Sequence, residues 1–109
     1  MHEVINPVTT TAIASVPSLS AEETDAAVAR AKRAFQTWRN VAPGDRARLL
    51  RRFSAVVEDH IEELAQLEVA NSGHTISNAR WEAGNVRDVL AYYAGAPERL
   101  TGHQIPVAG

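Results

Sequence analysis

Few residues of this chain have the types and spacing that chemistry needs. His2, His60, His74 and His103 are scattered, and none has a second His, Asp or Glu at a recognised metal-ligand spacing. His60 and Glu63 stand at i and i+3, as many helical surface pairs do, so the histidines read as surface or edge residues. Arg46, Arg48, Arg51 and Arg52 could grip a phosphate or an acidic partner. The same spacing suits a solvated or inter-helix salt-bridge face, which is the preferred reading. Serine and threonine lack a G-x-S-x-G elbow, and no glycine-rich phosphate loop or G-x-G-x-x-G occurs. There is no cysteine, which removes disulfides, thiolate metal sites and thiolate nucleophiles together. No residue is therefore assigned a catalytic or cofactor-binding role.

Composition narrows the classes further. Lys and Arg number 11 against 13 Asp and Glu, a net charge of −2, so no basic field gathers nucleic acid. No run of apolar residues is long enough for a membrane span, and the start of the chain lacks the pattern of a secretory signal. The expectation is a cytoplasmic protein with neither a nucleic-acid nor a membrane partner. At 109 residues the chain makes one small unit. Alanine supplies the largest share of its hydrophobic residues and buries little area each. Marginal stability is expected unless another surface covers the apolar stripes.

The elements that must position these residues are mainly helical. Residues 1–19 read as a short β hairpin or bent strand, turning around Thr9-Thr10-Thr11 and stopped by Pro17. Ser20 and Glu23 form a capping box for a helix over 20–40, with Val28, Ala31, Phe35 and Trp38 on one face. Pro43 suits the first turn of a second helix over 43–72, and Gly73 suits its C-terminal end. Leu50, Phe53, Val57, Ile61, Leu64 and Leu67 make its apolar stripe, widened by Leu49 and Val56. Its arginines lie early and Glu58, Asp59, Glu62, Glu63 and Glu68 late. That order opposes the helix dipole and suggests partners outside the helix. A third helix spans 76–100, weakened at Gly84 and kinked or ended by Pro97. Adjacent Tyr92 and Tyr93 must face different ways. Residues 103–109 read as extended chain cut on its way into a further strand.

Several short motifs stand in a fixed order along these elements: Asn6-Pro7-Val8-Thr9, Val16-Pro17, Leu67-Glu68-Val69-Ala70-Asn71-Ser72-Gly73, Tyr92-Tyr93-Ala94-Gly95, Leu100-Thr101-Gly102 and Ile105-Pro106-Val107. In this order the chain resembles the N-terminal part of NAD(P)-dependent aldehyde dehydrogenases. The resemblance implies the first portion of that α/β fold. The cofactor loops, nucleophilic cysteine and general-base glutamate would lie further along, so no independent catalysis is expected.

In the complete enzyme NAD or NADP would take a hydride as an aldehyde becomes a carboxylic acid. This segment alone would bind neither cofactor. Many members of the family carry glycine where Thr10 stands, so the turn here is expected to be of another type or strained. The resemblance also implies a monovalent-cation site at Val4, Ile5 and Asn71, the last replacing a carboxylate by an amide. Trp81 and Tyr93 become candidates for the substrate tunnel or an interface. The implied partner is the remainder of the dehydrogenase. The alternative is a small non-catalytic helical module that associates with itself through its apolar stripes.

Overall fold

A computed structural model describes residues 1–108. Its elements in chain order are β1 (His2–Ile5), β2 (Ala12–Val16), α1 (Ala21–Trp38), α2 (Pro43–Asp59), α3 (Ile61–Ser72), α4 (Ile76–Tyr93) and α5 (Ala96–Arg99). The fold is thus mainly helical with an N-terminal hairpin.

The hairpin is antiparallel, pairing His2 with Val16 and Val4 with Ala14, with an irregularity between Val4 and Ile5. Asn6 organises the turn. Its Oδ1 accepts from the amides of Val8 (2.8 Å) and Thr9 (3.1 Å), and its carbonyl accepts from the Thr10 amide at 2.8 Å. Thr10 sits at φ 60°, so the threonine in the glycine position does adopt a left-handed backbone. Its hydroxyl donates to the Thr9 carbonyl at 2.7 Å, a local bond that offsets part of the strain.

The capping box of α1 forms in full: the Glu23 amide donates to Ser20 Oγ, and the Ser20 amide donates to Glu23 Oε2. The helix is about 27 Å long at the usual rise per residue, yet it buries none of its residues. Val28, Phe35 and Trp38, the stripe read from the sequence, all stand exposed.

The single helix expected over 43–72 is two helices. His60, at φ −118° and ψ 13°, separates α2 from α3. The break shifts the His60 amide onto the Val57 carbonyl, and His60 Nδ1 takes up the Val56 carbonyl at 2.8 Å. A carbonyl only accepts, so Nδ1 carries the proton there. The break also eases part of the adverse charge order, although Glu58 and Asp59 still end α2. Glu62 and Glu63 now occupy the first turn of α3, where the dipole favours them, rather than the tail of a long helix. The third expected helix is likewise divided. α4 ends at Tyr93, and Pro97 sits in the first turn of the short α5, where its missing N–H costs nothing.

α4 lies centrally, packed against α2 and α3, while α5 closes on α2 and α4. The core is made almost wholly of alanine: Ala47, Ala65, Ala79, Ala83 and Ala94, with Val57 and Ser54. Small side chains let the helix axes approach closely. The buried Ser54 hydroxyl finds its acceptor across that contact, the Arg87 carbonyl of α4 at 2.9 Å. The larger stripe read from the sequence mostly faces outward: Leu49, Phe53, Val56, Leu64 and Leu67 are exposed. The radius of gyration is 19.9 Å, against about 13 Å for a compact unit of this length. The molecule is elongated, 71 × 38 × 24 Å, with its apolar faces open.

Candidate functional site

Two of the sequence motifs meet in space. The turn of the hairpin rests on the C-terminal end of α3, where Gly73 closes the helix at φ 75°. A Cβ on Gly73 would come within 3.2 Å of Pro7 Cγ and 3.3 Å of Val8 Cγ2. The left-handed backbone thus favours glycine there, and any side chain would also have to push back Pro7 and Val8. Beside this contact lies a groove of about 360 Å³ lined by Val4, Ile13, Ala14, Leu64, Leu67, Glu68 and Asn71. Val4 and Asn71, two of the three cation candidates, therefore share one groove. Ile5 does not line it; it pairs with Ala12 beyond the hairpin irregularity.

Glu68 is the residue that motif reading missed. It stands three positions before Asn71 on α3, half-buried in the same groove. The i, i+3 spacing puts both side chains on one helix face and was available in the sequence. Reading by motif looked only at the position where the carboxylate had become an amide. Among the described residues no group of three or more His, Asp or Glu is placed to hold a metal ion. Any ion in this groove would thus depend on carbonyl and amide oxygens beside one carboxylate.

Trp81 and Tyr93 stand apart on the surface. They lie twelve positions apart on α4, about 18 Å along the axis, and line different grooves. Trp81 is 70% exposed, at a groove of about 270 Å³ with Ile61, Gly84 and Asn85. Charged side chains that lock the helices together frame it. Arg80 grips Glu62 with both ends of its fork, Nε to Oε2 at 2.8 Å and Nη2 to Oε1 at 2.9 Å, tying α4 to α3. Arg87 pairs with Glu58 of α2 and, at 2.7 Å, with its neighbour Asp88. The Arg80 hydrogen bonds, then that of Gln66, hold the Glu62 carboxyl down at about 2. The hydrogen bond from Arg87 holds Asp88 low as well, and those it donates to Asp88 and then Glu58 push the Arg87 guanidinium up.

Tyr93 is 57% exposed, at a groove of about 330 Å³ with Arg46, Leu50, Ala96, Pro97 and Leu100. Tyr92 meets it edge-on, centroids 5.1 Å apart at 87°, and carries Arg99 over its own ring at 5.7 Å. Of the arginine cluster, Arg48 pairs with Asp45 and Arg51 with Glu98 at 3.6 Å. Both fit the salt-bridge reading. Arg46 does not: its Nε is buried without a hydrogen-bond partner among the described residues.

Among the described residues no helix is long and apolar enough to cross a membrane. The sequence matches the family model of the aldehyde dehydrogenase family over residues 1–109. It is 41% identical over 103 residues to malonate-semialdehyde dehydrogenase 2 of Geobacillus thermodenitrificans, covering 94% of this chain and 21% of that protein. The fold superposes on the structure of PnpE in complex with nicotinamide adenine dinucleotide at a TM-score of 0.94 and 34% identity, covering 98% of this chain and 22% of that one. A NAD-dependent benzaldehyde dehydrogenase from Corynebacterium glutamicum superposes equally well, TM-score 0.94 at 28% identity, over 99% of this chain and 24% of that one. The chain thus spans about a fifth of the length of the relatives it matches. With its motifs, fold and whole length in register, it belongs to the aldehyde dehydrogenase family and corresponds to that family's N-terminal segment.

Proposed function

We propose that this chain is the N-terminal scaffold of a nicotinamide-dependent aldehyde dehydrogenase, covering part of its cofactor domain and contributing no reacting group. The observation that carries the reading is the open apolar surface on a fold shared with complete enzymes: α1 buries nothing, and the outer face of α2 and α3 is bare. An amphipathic helix keeps such a stripe when something covers it. The complete enzyme would oxidise an aldehyde to a carboxylic acid, the dinucleotide accepting the hydride. NAD is favoured over NADP by the relatives whose names carry NAD. The malonate-semialdehyde and benzaldehyde enzymes are named for chemically different aldehydes, so the shared expectation is the aldehyde group itself. A nicotinamide enzyme of this kind would work in the cytoplasm, beside its cofactor pool.

The residues present do not fit the dinucleotide. The chain offers no glycine-rich turn between a strand and a helix to cradle a pyrophosphate, so no step is assigned to it here. What its own residues supply is position. Trp81 and Tyr93 present aromatic surface to the covering domain or to the tunnel wall. Val4 and Asn71, joined by Glu68 and without Ile5, offer oxygen donors for a monovalent cation that would pin the hairpin to α3.

The intact mass of the natural product, captured from its source with an antibody to this segment, tests the reading. A mass several-fold above 11.8 kDa is expected. A mass equal to it would turn attention to a self-associating helical module.

A further inference from the structure

We draw no further inference here: the strongest candidate, the apolar groove that Leu50, Tyr93, Ala96, Pro97 and Leu100 line where α5 closes on α2, carries nothing because no feature of the structure shows what covers it.

Discussion

Two residues with positive φ hold the hairpin, and they make opposite demands on their side chains. Position 73 favours glycine, because a Cβ there would have to push back Pro7 and Val8 and a non-glycine residue would resist φ 75°. Gly73→Ala is expected to cost about 1–2 kcal/mol from the backbone alone, read as a lower thermal midpoint and as loss of the contact between turn and helix. Thr10 at φ 60° is the reverse case. Thr10→Gly is expected to stabilise the hairpin by roughly 0.5–1 kcal/mol, the left-handed penalty relieved less the added chain entropy of glycine. Hydrogen exchange of the β1 and β2 amides measures it. Slower exchange supports the account, and faster exchange would mean that the Thr10–Thr9 hydrogen bond outweighs the strain.

Between elements, the helices are joined by alanine contacts and ion pairs rather than by large apolar side chains. The Arg80–Glu62 pair ties α4 to α3 and holds the Glu62 carboxyl near 2 instead of its ordinary 4.5. A carboxyl that binds its proton more weakly in the folded chain stabilises it at any pH above the unfolded value. That contribution is lost as pH falls from 4.5 towards 2. Asp88, held below its ordinary range by the Arg87 hydrogen bond, contributes in the same direction. Helical content followed by circular dichroism should thus fall through this acid range. Glu62→Gln should flatten part of the fall, and high salt should weaken the whole effect, since both partners are exposed. An acid profile unchanged by Glu62→Gln would show that the pair carries no stability. The broken helix belongs to the same scale. His60 ends α2 and supplies a hydrogen bond for the carbonyl left over. The cleanest apolar periodicity in the sequence runs straight through that break, so periodicity alone gave one helix where hydrogen bonding makes two.

For the whole molecule the decisive quantity is uncovered apolar surface. Among the described residues no large side chain is fully buried, and Phe35, Trp38, Phe53, Leu67 and Trp81 all face outward. The isolated chain is expected to bind a hydrophobic dye and to associate. Its apparent thermal midpoint should rise with protein concentration. Phe35→Ser should change its stability by no more than about 0.5 kcal/mol, as at other unburied positions. The same change in a packed core costs several kcal/mol. A sharp, concentration-independent transition that Phe35→Ser strongly lowers would mean that the chain buries this stripe by itself.

Local chemistry was legible in the residues. The Ser20–Glu23 capping box, Pro43 in a first turn and Gly73 at a helix end each depend on neighbours within a few positions, so sequence alone determined them. The φ of 60° at Thr10, by contrast, was one of two options the residues left open. The absence of cysteine likewise settled, before any fold was known, that no thiolate chemistry belongs to this chain. Only the tertiary structure decided which faces meet. Alanine and leucine both read as apolar in a helical pattern, but close approach of α4 to α2 selected the small residues for the core and turned the larger ones outward. It also decided that Glu68 joins Val4 and Asn71 in one groove, that Trp81 and Tyr93 line separate ones, and that Arg46 Nε finds no hydrogen-bond partner among the described residues. Those facts depend on distances between segments far apart in the chain, which no local spacing records.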